Sequence, residues 1–97
     1  MKKRRDRADE LLNHAIAIAH RDGYQNVTRE ALASAASCSP SLVSAYFGTM
    51  LKLRRAIMSA AIARNDLKII AQGLAAGDAK ARAVTARVKR AALEGLL

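Results

Sequence analysis

The stretch Val27-Thr28-Arg29-Glu30-Ala31-Leu32-Ala33-Ser34-Ala35-Ala36-Ser37-Cys38-Ser39-Pro40-Ser41-Leu42-Val43-Ser44-Ala45-Tyr46-Phe47-Gly48 reads as two short helices with a tight turn between them. Thr28 supplies a hydroxyl cap for the first, and Glu30 stands in its first turn near the positive end of the helix dipole. Val27 and Leu32 hold the positions of a hydrophobic staple. This helix runs from about Arg29 to Ala35, because Ser37-Cys38-Ser39 carries turn and capping chemistry. Ser39 then Pro40 is a second start signal: a hydroxyl cap, then proline at the first helical position, where its missing N–H does no harm. The next helix runs from about Pro40 to Tyr46, and Phe47-Gly48 closes it.

Outward from this pair the pattern stays helical. Toward the N-terminus, Leu11, Ala15 and Ile18 share one face of a helix from about Arg5 to Arg21, with Leu12, Ile16 and Ala19 beside them. Asp22-Gly23 ends it. Toward the C-terminus, Thr49 caps a fourth helix whose stripe is Met50, Leu53, Ile57 and Ala60, continued by Ala63, Leu67, Ile70 and Leu74. Gly73, and Gly77 with Asp78, weaken or stop it. A last helix from about Asp78 to Glu94 carries Ala81, Val84, Val88 and Ala91 on one side and Lys80, Arg82, Arg87, Lys89 and Arg90 on the others. Two short helices preceded by a third are the minimal helix-turn-helix bundle. Ala33 and Ala36 let the pair cross closely, Cys38 is an apolar plug in the turn, and Ser39, Ser41, Ser44 and Tyr46 give the second helix a polar outer side. The expected fold is all-α: a three-helix, homeodomain-like helix-turn-helix bundle, then a long fourth helix and a basic C-terminal helix. Residues 1–53 hold the bundle and its basic arm, and residues 54–97 a helical extension for dimerisation or a partner.

Composition agrees and narrows the function. Hydrophobic residues are 52% of the 97, yet aromatics are only 3%, and alanine-rich apolar content favours helix over sheet. The single Cys38 excludes an internal disulfide, and His14 and His20, six apart, do not share a helix face as a metal pair would. No nucleophile–base set, acid pair or glycine-rich phosphate loop is present, so no catalysis and no cofactor are expected. No apolar run approaches the roughly 20 residues that span a bilayer. Met1-Lys-Lys-Arg-Arg-Asp-Arg opens like a signal peptide, but Asp9, Glu10, Asn13 and His14 interrupt what would be its apolar stretch. No membrane association and a cytoplasmic location are expected.

From Leu11 to Leu53 the chain resembles the TetR-type DNA-binding domain. The residues that carry the resemblance are Gly23-Tyr24 after the first helix, Thr28 at the start of the second, the turn Ala36-Ser37-Cys38-Ser39, and Tyr46-Phe47-Gly48-Thr49. Their spacing matches without a gap over 43 of the 97 residues. Departures stand at Ser37, where the family has glycine, at Ser44 in place of a phosphate-contacting tyrosine, and at Met50 in place of lysine. The resemblance implies a short recognition helix in the major groove, with Pro40, Ser41, Leu42, Ala45 and Tyr46 at the bases. Serine can hydrogen-bond several base edges, and proline, leucine or alanine can pack on a thymine methyl. It also implies phosphate contacts from Lys52, Arg54 and Arg55 at the start of the fourth helix. Thr28, Arg29, Ser39 and Ser44 are further phosphate candidates, beside helix N-terminal N–H groups. The 44 residues after Leu53 leave no room for the family's large ligand-binding domain, so no small-molecule effector is expected.

The formal charge of +9 favours a polyanionic partner. It is unevenly spread: residues 23–50 are net zero, residues 1–22 net +2 and residues 51–97 net +7. A neutral reading module with basic flanks suits double-stranded DNA, with Lys2, Lys3, Arg4, Arg5 and Arg7 as a basic arm along the backbone or into a minor groove. The arm reads equally as a solvated tail, Ser39 as a cap alone, and Tyr46 as core rather than contact. A homodimeric sequence-specific regulator, more a repressor than an activator, is the leading function. Two others stay open: an adaptor whose C-terminal helix binds an acidic protein, and a non-specific nucleic-acid binder.

Overall fold

Among the described residues, six of the seven helices begin on a side chain that accepts a hydrogen bond from the backbone of the first turn. The computed structural model describes residues 4–95, with Arg4 as backbone only. Its elements are α1 (Arg4–Asp22), a 3-10 turn (Tyr24–Asn26), α2 (Arg29–Ala35), α3 (Pro40–Phe47), α4 (Met50–Ala63), α5 (Leu67–Ala76), α6 (Ala79–Arg82) and α7 (Ala86–Glu94). Among the described residues there is no strand, and no helix is long and apolar enough to cross a membrane. Thr28, Ser39 and Thr49 cap α2, α3 and α4 at 3.1–3.2 Å, and Pro40 takes the first position of α3.

Two expected helices are each broken in two. The long fourth helix ends at Ala63, where Asn65 turns left-handed with φ 54°. Asp66 then restarts the chain as α5, its Oδ1 accepting from the Ile69 N–H at 3.3 Å. The backbone N–H of Asp66 closes the turn on the Ala61 carbonyl at 2.7 Å. Asn and Asp compete locally with helical hydrogen bonding and tolerate this geometry, so the apolar spacing from Ala63 to Leu67 continues in number but not along one helix. The expected last helix likewise splits at Ala83-Val84, and Thr85 caps α7 at 3.3 Å to the Val88 N–H. Within α7 the fully buried residue is Ala92, and Ala91 beside it is half-buried.

A continuous core runs through both halves of the chain. Ala15, Ile18 and Ala19 of α1 join Leu32, Val43, Leu53, Ile57, Met58, Ile69, Ile70, Ala81 and Ala92, with Val27 and Tyr24 between α1 and α2. The α4 stripe packs inside the chain, with Leu53 and Ile57 essentially unexposed. Gly73 of α5 is buried at a close crossing: a Cβ there would run into the Met58 methyl and stand 2.7 Å from the Ala81 Cβ. Gly77, at φ 74°, closes α5 in the left-handed conformation expected of a helix stop.

Candidate nucleic-acid interface

α2 and α3 pack together across the four residues Ala36-Ser37-Cys38-Ser39. Ala33 of α2 is buried in the core, and half-buried Cys38 packs against it. The turn is fastened by the Cys38 N–H to the Ala33 carbonyl at 2.9 Å, and Ser37 takes φ 55° without being glycine. Val43 is the buried residue of α3, and Phe47 packs against the core. At 100° per residue, Ser41 and Ala45 then fall on the side opposite Val43. Both are exposed, as are Ser39 and Pro40, while Leu42, Ser44 and Tyr46 are half-buried on the flanks.

The phosphate candidates divide into two groups. Thr28 and Ser39 are exposed at the starts of α2 and α3, each with its oxygen also capping its helix. Arg29 makes a long hydrogen bond, 3.5 Å, to the Gly48 carbonyl at the end of α3. Exposed Lys52 lies against the same corner, its Cδ 3.3 Å from where a Cβ on Gly48 would stand. Thr28, Arg29, Ser39 and Lys52 thus mark helix ends around the α2–α3 pair. Arg54 is placed otherwise. It lies 200° around α4 from Lys52, half-buried in a cleft with Tyr24 and Asp78, and exposed Arg55 borders the same cleft.

Arg4, Arg5 and Arg7 belong to α1, because the helix already begins at Arg4. Arg7 pairs with Glu10 one turn on at 3.3 Å, whereas Arg5 is exposed. Lys2 and Lys3 lie outside the described residues.

Several polar anchors were not legible in the sequence. Gln72 of α5 reaches the end of α1: its Oε1 accepts from the Tyr24 N–H at 2.9 Å, and its Nε2 donates to the Ala19 carbonyl at 3.2 Å. His20 and Asp66 meet at 2.6 Å, and Arg64 donates to the Asn13 side chain at 2.7 Å. The Tyr24 hydroxyl donates to Asp78 Oδ2 at 3.3 Å. Burial, and then the Asp78 charge, push the Tyr24 phenol above its ordinary range, with Arg54 pulling the other way. A polar residue inside an apolar stripe was the available signal for Gln72, but nothing in its spacing named its partner.

Among the described residues no three His, Cys, Asp or Glu side chains gather as a metal site would require. No protein-family model, curated protein or solved structure gives a significant match to the chain.

Proposed function

We propose that the chain is a sequence-specific double-stranded DNA-binding regulator, a repressor, that reads the major groove with α3 as the second helix of a TetR-like helix-turn-helix. The observation that supports this most is the build of α3. Val43 pins it to the core, while Ser41 and Ala45 stand exposed on the opposite side, beside the exposed N-terminal residues Ser39 and Pro40. A helix held this way offers its N-terminal side chains to base edges. Thr28, Arg29, Ser39 and Lys52 around it suit contacts to the phosphates on either side. One short helix covers few base pairs, so specificity calls for a dimer on a two-fold site. With the α4 stripe buried, a dimer contact among the described residues falls to Leu93 of α7, which is 47% exposed.

Selection from random duplex DNA tests this reading. A palindromic consensus, lost or altered in Ser41→Arg and weakened in Tyr46→Ala, is the expected result. Retention with no enriched sequence, vanishing as salt rises, would replace it by non-specific binding. Absence of DNA binding beside a tight complex with an acidic protein would favour the adaptor reading, in which exposed Arg87 and Arg90 of α7 make the contact.

A further inference from the structure

Arg54, Arg55 and Lys80 converge on the cleft of about 250 Å³ between the 3-10 turn, α4 and α6, whose walls also include Tyr24 and Asp78. Both oxygens of the Asp78 carboxylate are engaged. Oδ1 accepts from the N–H groups of Lys80 and Ala81 at 2.9 and 3.0 Å, and Oδ2 from the Tyr24 hydroxyl at 3.3 Å. Three cations less this one carboxylate leave the walls with an excess of two positive charges. The Arg54 guanidinium is half-buried, and its Nε is covered with no acceptor among the described residues. A partly desolvated cation without a hydrogen-bonded counter-charge is costly, and an anion on the remainder of its planar fork offsets that cost.

We propose that this cleft binds the dianionic head of a phosphate monoester, held by Arg54 and Arg55 from α4 and Lys80 from α6. The charge matches, because a monoester carries between one and a half and two negative charges at neutral pH. The size matches too: drug-sized ligands occupy pockets of roughly 300–1,000 Å³, so this cleft suits a phosphoryl group rather than a whole large ligand. No residue of α3 lines it, so the proposal stands apart from the DNA reading.

The test titrates the free chain, without DNA, with inorganic phosphate and with phenyl phosphate at constant ionic strength set by chloride. Amide shifts at Tyr24, Lys80 and Ala81 and the Tm are followed. Saturable shifts confined to the cleft and a raised Tm are expected. Affinity should fall about tenfold in Lys80→Ala, whose side chain is exposed, and similarly in Arg54→Met. It should also fall as the pH drops below about 6, where the dianion takes up a proton. Absence of saturation, or unchanged affinity in Lys80→Ala, would overturn the proposal whatever the chain does with DNA. Equal binding of dimethyl phosphate, a monoanionic diester, would also overturn it and mark the cleft as a seat for nucleic-acid backbone.

Discussion

Ser37 and Tyr24 show how much a single position can carry in so small a fold. Ser37 holds φ 55°, a conformation that costs a side-chain-bearing residue roughly 1 kcal/mol and glycine almost nothing. Ser37→Gly should therefore stabilise the chain by about 0.5–1 kcal/mol in chemical denaturation; a loss of stability would mean that the hydroxyl does something the geometry does not reveal. Tyr24 has a raised phenol, so the folded state holds its proton more tightly than the unfolded chain. Its contribution is complete below the ordinary phenol range near pH 10 and is lost as pH rises toward the raised value. In Tyr24→Phe the alkaline fall in stability should flatten, read from Tm between pH 9 and 11 (about one unit either side of that range). The turn around Ser37 was legible in sequence because its determinants are neighbours. The partners of Tyr24 were not, since Gln72 and Asp78 lie 48 and 54 residues away.

Helix starts were readable wherever the capping residue stood clear of the apolar periodicity. Thr28, Ser39-Pro40 and Thr49 each preceded a fresh stripe, and α2 begins and ends where the sequence put it. Asp66 and Thr85 were overlooked because they sit within an apolar spacing that carries on across the break. Asp66 also has a partner beyond its own helix, since its other oxygen meets His20 of α1 at 2.6 Å. Two removals should therefore differ. Thr49→Ala loses a cap alone and should cost about 1 kcal/mol, whereas Asp66→Ala loses a cap and a long-range contact and should cost about 2 kcal/mol or more. Equal losses in urea titration would show that the His20 contact contributes nothing to stability.

Across the whole chain the charge is lopsided, and the α2–α3 pair is its neutral part. Any DNA complex should then depend strongly on salt while taking its sequence preference from a face with no cation on it. Lys52→Ala is expected to weaken binding to all sequences alike and to reduce the slope of log affinity against log salt by roughly 1. A change in the preferred sequence instead would move Lys52 into the reading face. The all-helical class was legible from composition and periodicity. The candidate face was legible from the motif, because both are written in residues close along the chain. The path after Ala63 was not, because a helix break held by α1 is a property of the assembled bundle.

The Gln72 side chain, which joins the Ala19 carbonyl to the Tyr24 N–H, has a consequence for how the protein is made. Translation delivers α1, α2 and α3 before Gln72 exists, and the core that holds them also includes Ile69, Ile70 and Ala81. A nascent chain halted at Leu53 would carry every residue of the proposed reading head but lack the side chains that seat it. The head is thus completed from behind, and the helices made after it act as its keystone.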